Sequence, residues 1–118
     1  MQKKIDKNIA RLRRTKKLRS KIKSLSRSYL IVYRSLRHIY VQLISTEGKV
    51  LTSANSNEKQ FKERYMGNIS ASEAVGKLIA ERLNNINVTE IIFDRSGYKY
   101  HGRVKALAEA IRKNGIKF

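Results

Sequence analysis

The chain has 118 residues, with 27 lysines and arginines against 9 acids, a formal charge of +18 and a pI near 10.6. Such a length allows one domain with a modest core, and such a charge exceeds what solubility requires and fits a polyanionic partner, nucleic acid first. The lack of cysteine excludes disulfides, cysteine-ligated zinc and thiol catalysis, no run approaches the roughly 18 apolar residues of a membrane-spanning helix, and the start lacks the apolar core of a signal peptide.

Residues 1–27 carry Lys3, Lys4, Lys7, Arg11, Arg13, Arg14, Lys16, Lys17, Arg19, Lys21, Lys23 and Arg27 against the single acid Asp6, a balance of +11. Ile5, Ile9, Leu12, Leu18, Ile22 and Leu25 form a thin apolar stripe at roughly helical spacing. It is too narrow for a core but able to dock a helix once phosphates neutralise its flanks. We therefore expect an RNA-binding arm, frayed when free and helical on RNA. The alternative is a merely solvated charged face, although so many like charges repel one another without a partner. A membrane-surface helix would want Trp, Phe or a fuller Leu face.

Tyr29 to Tyr33 and Ile39 to Ile44 read as strands joined by a turn at Ser35, Leu36 and Arg37. In the second, Ile39, Val41 and Leu43 share one face while His38, Tyr40 and Gln42 share the other, so one side meets a core and the other can be wet. Tyr40 with Arg34, Arg37 and His38 offers stacking and phosphate contacts, or the tyrosines simply cover the sheet with their hydroxyls in water. Thr46 to Lys49 is a second turn signal, and Val50 to Asn55 a third strand that completes an antiparallel meander. Residues 57–68 are polar, with Phe61 and Tyr65 four apart on what reads as a short helix.

Ser70-Ala71-Ser72-Glu73 fits a capping box at the start of a helix. Val75, Leu78, Ile79, Leu83 and Ile86 continue it at helical spacing, and Asn84, Asn85 and Asn87 mark its end. Gly76 costs that helix about 1 kcal/mol against alanine, which points to a close approach of another backbone. A fourth strand reads at about Glu90 to Phe93. The last helix places Val104, Leu107, Ala108 and Ile111 at i, i+3, i+4 and i+7 and stops at Gly115. The fold class is therefore α/β. A single domain of order β-β-β-α-β-α carries a mixed sheet, a three-stranded antiparallel meander plus one parallel strand, with two main helices.

Between the fourth strand and the last helix, residues 94–103 read Asp-Arg-Ser-Gly-Tyr-Lys-Tyr-His-Gly-Arg. Two glycines permit positive φ, and aromatics alternate with cations. Arg95, Tyr98, Tyr100, His101 and Arg103 combine planar stacking groups with phosphate donors, and the helix starting near Arg103 adds a positive dipole end. The competing reading is that Gly97 and Gly102 only make the turn while Tyr100 and His101 pack between helix and sheet.

The run from Phe93 to Ala108, Phe-Asp-Arg-Ser-Gly-Tyr-Lys-Tyr-His-Gly-Arg-Val-Lys-Ala-Leu-Ala, resembles the C-terminal signature of bacterial large-subunit ribosomal protein number eighteen. Ser96 stands where that family often has glycine. His38-Ile39-Tyr40-Val41-Gln42 is similar to a second motif of the family, His-Ile-Tyr-Ala-Gln. The chain departs from the pattern between arm and first strand, where it has Ser24-Leu25-Ser26-Arg27-Ser28-Tyr29 and no proline. The resemblance implies a structural protein of a bacterial or organellar ribosome, monomeric when free, that binds 5S rRNA and helps attach it to the large-subunit rRNA beside neighbouring large-subunit proteins. It also makes the arginine-rich start, whose composition passes for a transit peptide, part of the mature protein. The expected organisation is an arm over 1–27 and a 5S rRNA-binding domain over 28–118, without membrane association.

Catalytic readings fare badly. The nine acids are scattered over turns and helix surfaces, only Asp94 ends a strand, and two-metal phosphoryl transfer needs several carboxylates converging on ions about 3.5–4 Å apart. Asp94 is expected to organise the turn that follows it or to pair with Arg95 or Arg103. His38 and His101 show no metal-ligand spacing, and no nucleophile elbow or phosphate loop is present. No metal or cofactor is expected. The rivals are another α/β RNA-binding ribosomal or accessory protein and, from a different class, a metal-dependent nuclease on a similar sheet.

Overall fold

The computed structural model describes residues 13–14, 27–61 and 69–118. The elements follow from runs of β-branched and aromatic residues broken by short polar turns: β1 (Tyr29–Arg34), β2 (Ile39–Ile44) and β3 (Val50–Asn55), a single 3-10 turn at Lys59–Phe61, α1 (Ile69–Asn85), β4 (Ile92–Asp94) and α2 (Gly102–Lys113). Each meander turn is tied by a serine. Ser35 Oγ accepts the His38 amide at 3.1 Å, and Ser45 Oγ accepts the amides of Glu47 and Lys49 at 3.3 and 3.1 Å.

The sheet order is β3-β2-β1-β4. β2 pairs antiparallel with both β1 and β3, and β4 adds to the far side of β1 in parallel, aligning Leu30 with Phe93 and Ile31 with Asp94. The α1 crossover therefore runs from one edge of the sheet to the other. Period-two alternation turns Leu30, Val32, Ile39, Val41 and Leu43 to the side that receives both helices, where they form one core with Val75, Ile79, Leu83, Val104, Leu107 and Ile111. Tyr33 and Tyr40 lie on the opposite face, 42% exposed and half-buried respectively.

Both helices end in the same way. After α1, Asn87 takes φ +60 while the Val88 amide donates to Leu83 and the Asn87 amide to Asn84; after α2, Gly115 takes φ +98 while Ile116 donates to Ile111 and Gly115 to Arg112. These are Schellman closures, in which the residue after the left-handed position folds back over the last turn. They place Val88 and Ile116 against the core and return the chain end beside β4, where Ile91 donates to Lys117 and Lys117 to Thr89.

Several expectations change. Ser70 is already helical, so the helix does not start by using it as a cap, and residue 68 lies outside the described residues. Ile86 falls beyond the last turn and is 43% exposed, because the closure at Asn87 turns the chain before the stripe can continue. Of the element expected over 57–68, Lys59–Phe61 forms a 3-10 turn that packs Phe61 partly against the core; residues 62–68, Tyr65 among them, lie outside the described residues. The fourth strand begins two residues later than expected, since Glu90 and Ile91 bond to the C-terminal residues instead of β1.

The outer edge of β3 is closed by an ion pair. Glu58 and Arg82 meet through two contacts, at 2.7 and 2.9 Å, while Arg82 Nη1 donates to the Ser53 carbonyl at 2.6 Å and Glu58 accepts the Asn55 amide at 3.0 Å. Two backbone groups of an edge strand are thereby occupied. Partial burial pushes the Glu58 carboxyl up, but the Arg82 hydrogen bonds, the Asn55 amide and the Arg82 charge together hold it below the ordinary glutamate value.

The helices cross at Gly76. A Cβ built there would stand 2.7 Å from Ala110 Cβ and 2.8 Å from the Leu107 carbonyl oxygen. Gly76→Ala should therefore destabilise the fold by about 1–3 kcal/mol despite its gain in helix propensity. Chemical denaturation measures this, and an unchanged or higher midpoint would contradict the crossing. Leu107→Ala should cost about 2–5 kcal/mol through its cavity. Because the Glu58 pKa is lower folded than unfolded, its contribution is present above the unfolded value and is lost as pH falls through the folded one. Stability titrated from neutral to acid should accordingly fall less steeply in Glu58→Gln than in the parent.

Candidate nucleic-acid interface

The turn that leads from β4 to α2 is built on a buried acid. Asp94 is fully buried at the end of β4, and its Oδ1 accepts the Ser96 amide at 2.8 Å, which curls the chain back on itself. Ser96 and Gly97 then take φ +54 and +73 in succession, and the Tyr98 amide donates to the Arg95 carbonyl at 3.0 Å. Two left-handed residues are the signature of a tight I′ turn. A serine in that conformation is strained where glycine is not. Gly102, with φ +53, makes a second reversal into α2. His101 precedes it in extended conformation and makes no side-chain cap.

This path sets the side chains. Tyr98 is half-buried, and the Arg34 guanidinium, brought from the end of β1, lies 4.8 Å from its ring centroid. Arg103, in the first turn of α2, is half-buried on the same cluster. Loss of solvation lowers its pKa from the ordinary arginine value, and the nearby Arg34 charge lowers it further, while Tyr98 acts in the opposite direction. Its Nη1 is shut off from solvent and has no hydrogen-bond partner. Arg14 reaches the same turn from the N-terminal segment, donating to the Gly97 carbonyl through Nε at 3.3 Å and Nη2 at 2.9 Å.

Of the other expected residues, Arg95, Tyr100 and His101 stand exposed along the turn, so Tyr100 and His101 do not pack between helix and sheet. His38 and Tyr40 meet edge to face at 6.3 Å on the β1–β2 side, with Arg37 exposed in the hairpin turn. Arg13 and Arg27 are exposed. Lys3, Lys4, Lys7, Arg11, Lys16, Lys17, Arg19, Lys21 and Lys23 lie outside the described residues. Thus Arg14, Arg34, Tyr98 and Arg103 are brought together, while His38 and Tyr40 form a separate pair.

Other contributors escaped the sequence reading. The buried Ser56 Oγ lies 3.1 Å from His38 Nδ1 and accepts the Ile39 amide at 3.1 Å, which holds the imidazole in place. Arg112 lies 4.4 Å from the Phe118 ring centroid and donates to the Phe118 carbonyl and the Tyr100 hydroxyl at 3.2 and 3.4 Å, and Phe118 stacks on Phe93 at 5.0 Å. The only local signal for the latter was an aromatic six residues beyond an arginine. Among the described residues no three His, Asp or Glu side chains converge as a metal site would require, and no helix is long and apolar enough to cross a membrane.

What remains is a surface of cations and aromatic rings on a rigid turn, suited to stacking on bases and donating to phosphates. Comparison with known proteins agrees with that chemistry. The family model for ribosomal L18 of archaea, bacteria, mitochondria and chloroplasts matches residues 5–118. The large ribosomal subunit protein uL18 of Coxiella burnetii (strain RSA 493 / Nine Mile phase I) is 53% identical over 117 residues, covering 97% of this chain and 100% of that protein. Those of Ectopseudomonas mendocina and Pseudomonas entomophila are each 51% identical over 114 residues, covering 96% of this chain and 98% of theirs.

Removal of the Asp94 carboxylate should free the turn. Asp94→Ala is expected to lose about 1–3 kcal/mol, the cost of an unsatisfied buried amide, while Asp94→Asn, which keeps an acceptor oxygen, should lose less. Equal denaturation midpoints for the two variants would show that the Ser96 amide does not depend on this oxygen.

Proposed function

This chain belongs to the ribosomal L18 family, and from that premise we propose that it binds 5S rRNA and helps attach it to the large-subunit rRNA in the central protuberance. As a member of that family it is a structural constituent of the large ribosomal subunit, working among rRNA and ribosomal proteins rather than as an enzyme. The finer reading rests chiefly on one observation: the turn after β4, which carries Tyr98 and leads into Arg103, receives Arg34 from the end of β1, a distant part of the chain. Cations that serve only solubility are dispersed over a surface. Here Arg34 lies over the ring of Tyr98 on the turn that leads to Arg103, beside further exposed groups, Arg95, Tyr100 and His101.

In this reading residues 1–27 and 28–118 divide the work. The arm supplies much of the sequence-independent attraction through its +11 balance. The domain presents the turn, with His38, Tyr40 and Arg37 as a second contact region, in a geometry that folded RNA can match.

A gel-shift comparison of 5S rRNA with tRNA and double-stranded RNA at near-physiological salt tests the partner, since bare affinity would report only charge. A clear preference for 5S rRNA is expected; equal affinity for all three would leave a generic polycation. Deleting the first 24 residues tests the division of labour. The remainder should still melt cooperatively but lose at least about tenfold in 5S rRNA affinity. If five or six of the deleted cations touch phosphates, the slope of log affinity on log salt should shrink by roughly 4 to 5. Unchanged affinity and slope would assign the arm to another partner.

A further inference from the structure

Ser56, the residue after β3, stands opposite Ile39 at the start of β2 and is fully buried. Its amide donates to the Ile39 carbonyl at 3.0 Å, and its Oγ accepts the Ile39 amide at 3.1 Å. The same oxygen lies 3.1 Å from His38 Nδ1. A hydroxyl has one proton and two acceptor lone pairs, and Ile39 occupies one of the pairs. If Nδ1 carried the imidazole proton, it would fill the second pair and leave the hydroxyl proton over. Among the described residues Ser56 Oγ meets no other acceptor, and its burial shuts out water. A buried donor left in that state is costly. With Nδ1 bare, the hydroxyl donates to it and every group is matched.

We infer that Ser56 is a positioning residue that fixes neutral His38 as its Nε2–H tautomer, so that the β1–β2 side of the molecule offers RNA an uncharged hydrogen-bond donor for an acceptor on a base edge. Nε2 is available for this: it finds no partner among the described residues and is not closed off from solvent. Tyr40, edge to face at 6.3 Å, bounds the ring on one side. A ring held in this way loses little freedom on binding. Arg37, exposed beside it, has the charge that phosphates require, whereas a neutral donor at a fixed place discriminates between bases. The opposite tautomer would present a lone pair and select donors instead. The use of the donor rests on the RNA-binding reading; the tautomer rests on the hydrogen bonds of Ser56 alone.

Long-range proton–nitrogen correlation spectra of the full chain at about pH 8, where an ordinary imidazole is uncharged, show which ring nitrogen bears the proton. His38 should appear as Nε2–H alone. His101, the other histidine of the chain, is exposed without a side-chain cap and should show both forms. A parent protein with His38 protonated on Nδ1 would overturn the inference before any variant is made. Ser56→Ala should give both tautomers at His38 and weaken 5S rRNA binding by roughly three- to tenfold, the size expected for one hydrogen bond between neutral groups. Ser56→Thr, which keeps the hydroxyl, should restore the parent spectrum and affinity. A spectrum unchanged in Ser56→Ala would remove the positioning role.

Because Ser56→Ala also deprives the Ile39 amide of its acceptor, variants of His38 supply an independent arm. His38→Gln places an amide N–H where Nε2 stood and should keep most of the 5S rRNA affinity. His38→Asn, whose amide reaches only the Nδ1 position, should bind as weakly as His38→Ala. Equal affinity in the parent and all three variants would overturn the use of the donor and leave the partner assignment standing. A loss in His38→Ala shared equally by 5S rRNA, tRNA and double-stranded RNA would place the donor on a phosphate and overturn the base contact. A parent without preference for 5S rRNA would defeat the partner assignment, while the spectrum still decides the tautomer.

Discussion

The approach of α2 to α1 at Gly76 is the constraint from which the rest of the molecule takes its shape. With no side chain at that position, Ala110 and the Leu107 carbonyl come within a distance that any Cβ would forbid. That proximity lets Val104, Leu107 and Ile111 reach the same core as Val75, Ile79 and the inward residues of the sheet. It also sets where α2 begins, and hence where Arg103 points. A glycine that weakens its own helix is thus used to aim a residue more than twenty positions away, an exchange of local propensity for tertiary fit.

A second constraint runs through Asp94. The carboxylate is buried, yet it is useful there because the backbone following it must turn through two left-handed residues and leave an amide that needs an acceptor. The outcome is a loop whose shape is set from beneath, with Arg95, Lys99 and His101 exposed on it. Functional groups held on a stiff support lose little entropy on binding.

The edges of the sheet are managed by different means. On β3 the Glu58–Arg82 pair occupies the Ser53 carbonyl and the Asn55 amide, so a strand with exposed Val50 and Leu51 is not left open along its whole length. At the opposite side, the chain end returns to bond with residues 89–91, and Phe118 is fixed between Phe93 and Arg112. Both devices draw on residues distant in sequence, and both occupy backbone groups that an added strand would need.

The order of elements and the bounds of β2 and β3 were legible in the sequence, because alternation along a strand and the serine, glycine and asparagine signals at its ends are local properties. So were the closeness implied by Gly76 and the role of Asp94 in its turn. The meeting of Arg34 with Tyr98, of His38 with Ser56 and of Glu58 with Arg82 was not legible, nor was the exposure of Ile86. Each depends on which strand β4 joins and how the helices cross above it. Periodicity says which face of an element is apolar, but it carries no record of which distant element that face will meet. Only the closing of the core on both helices decided that three separated segments of chain would bring their arginines to one turn.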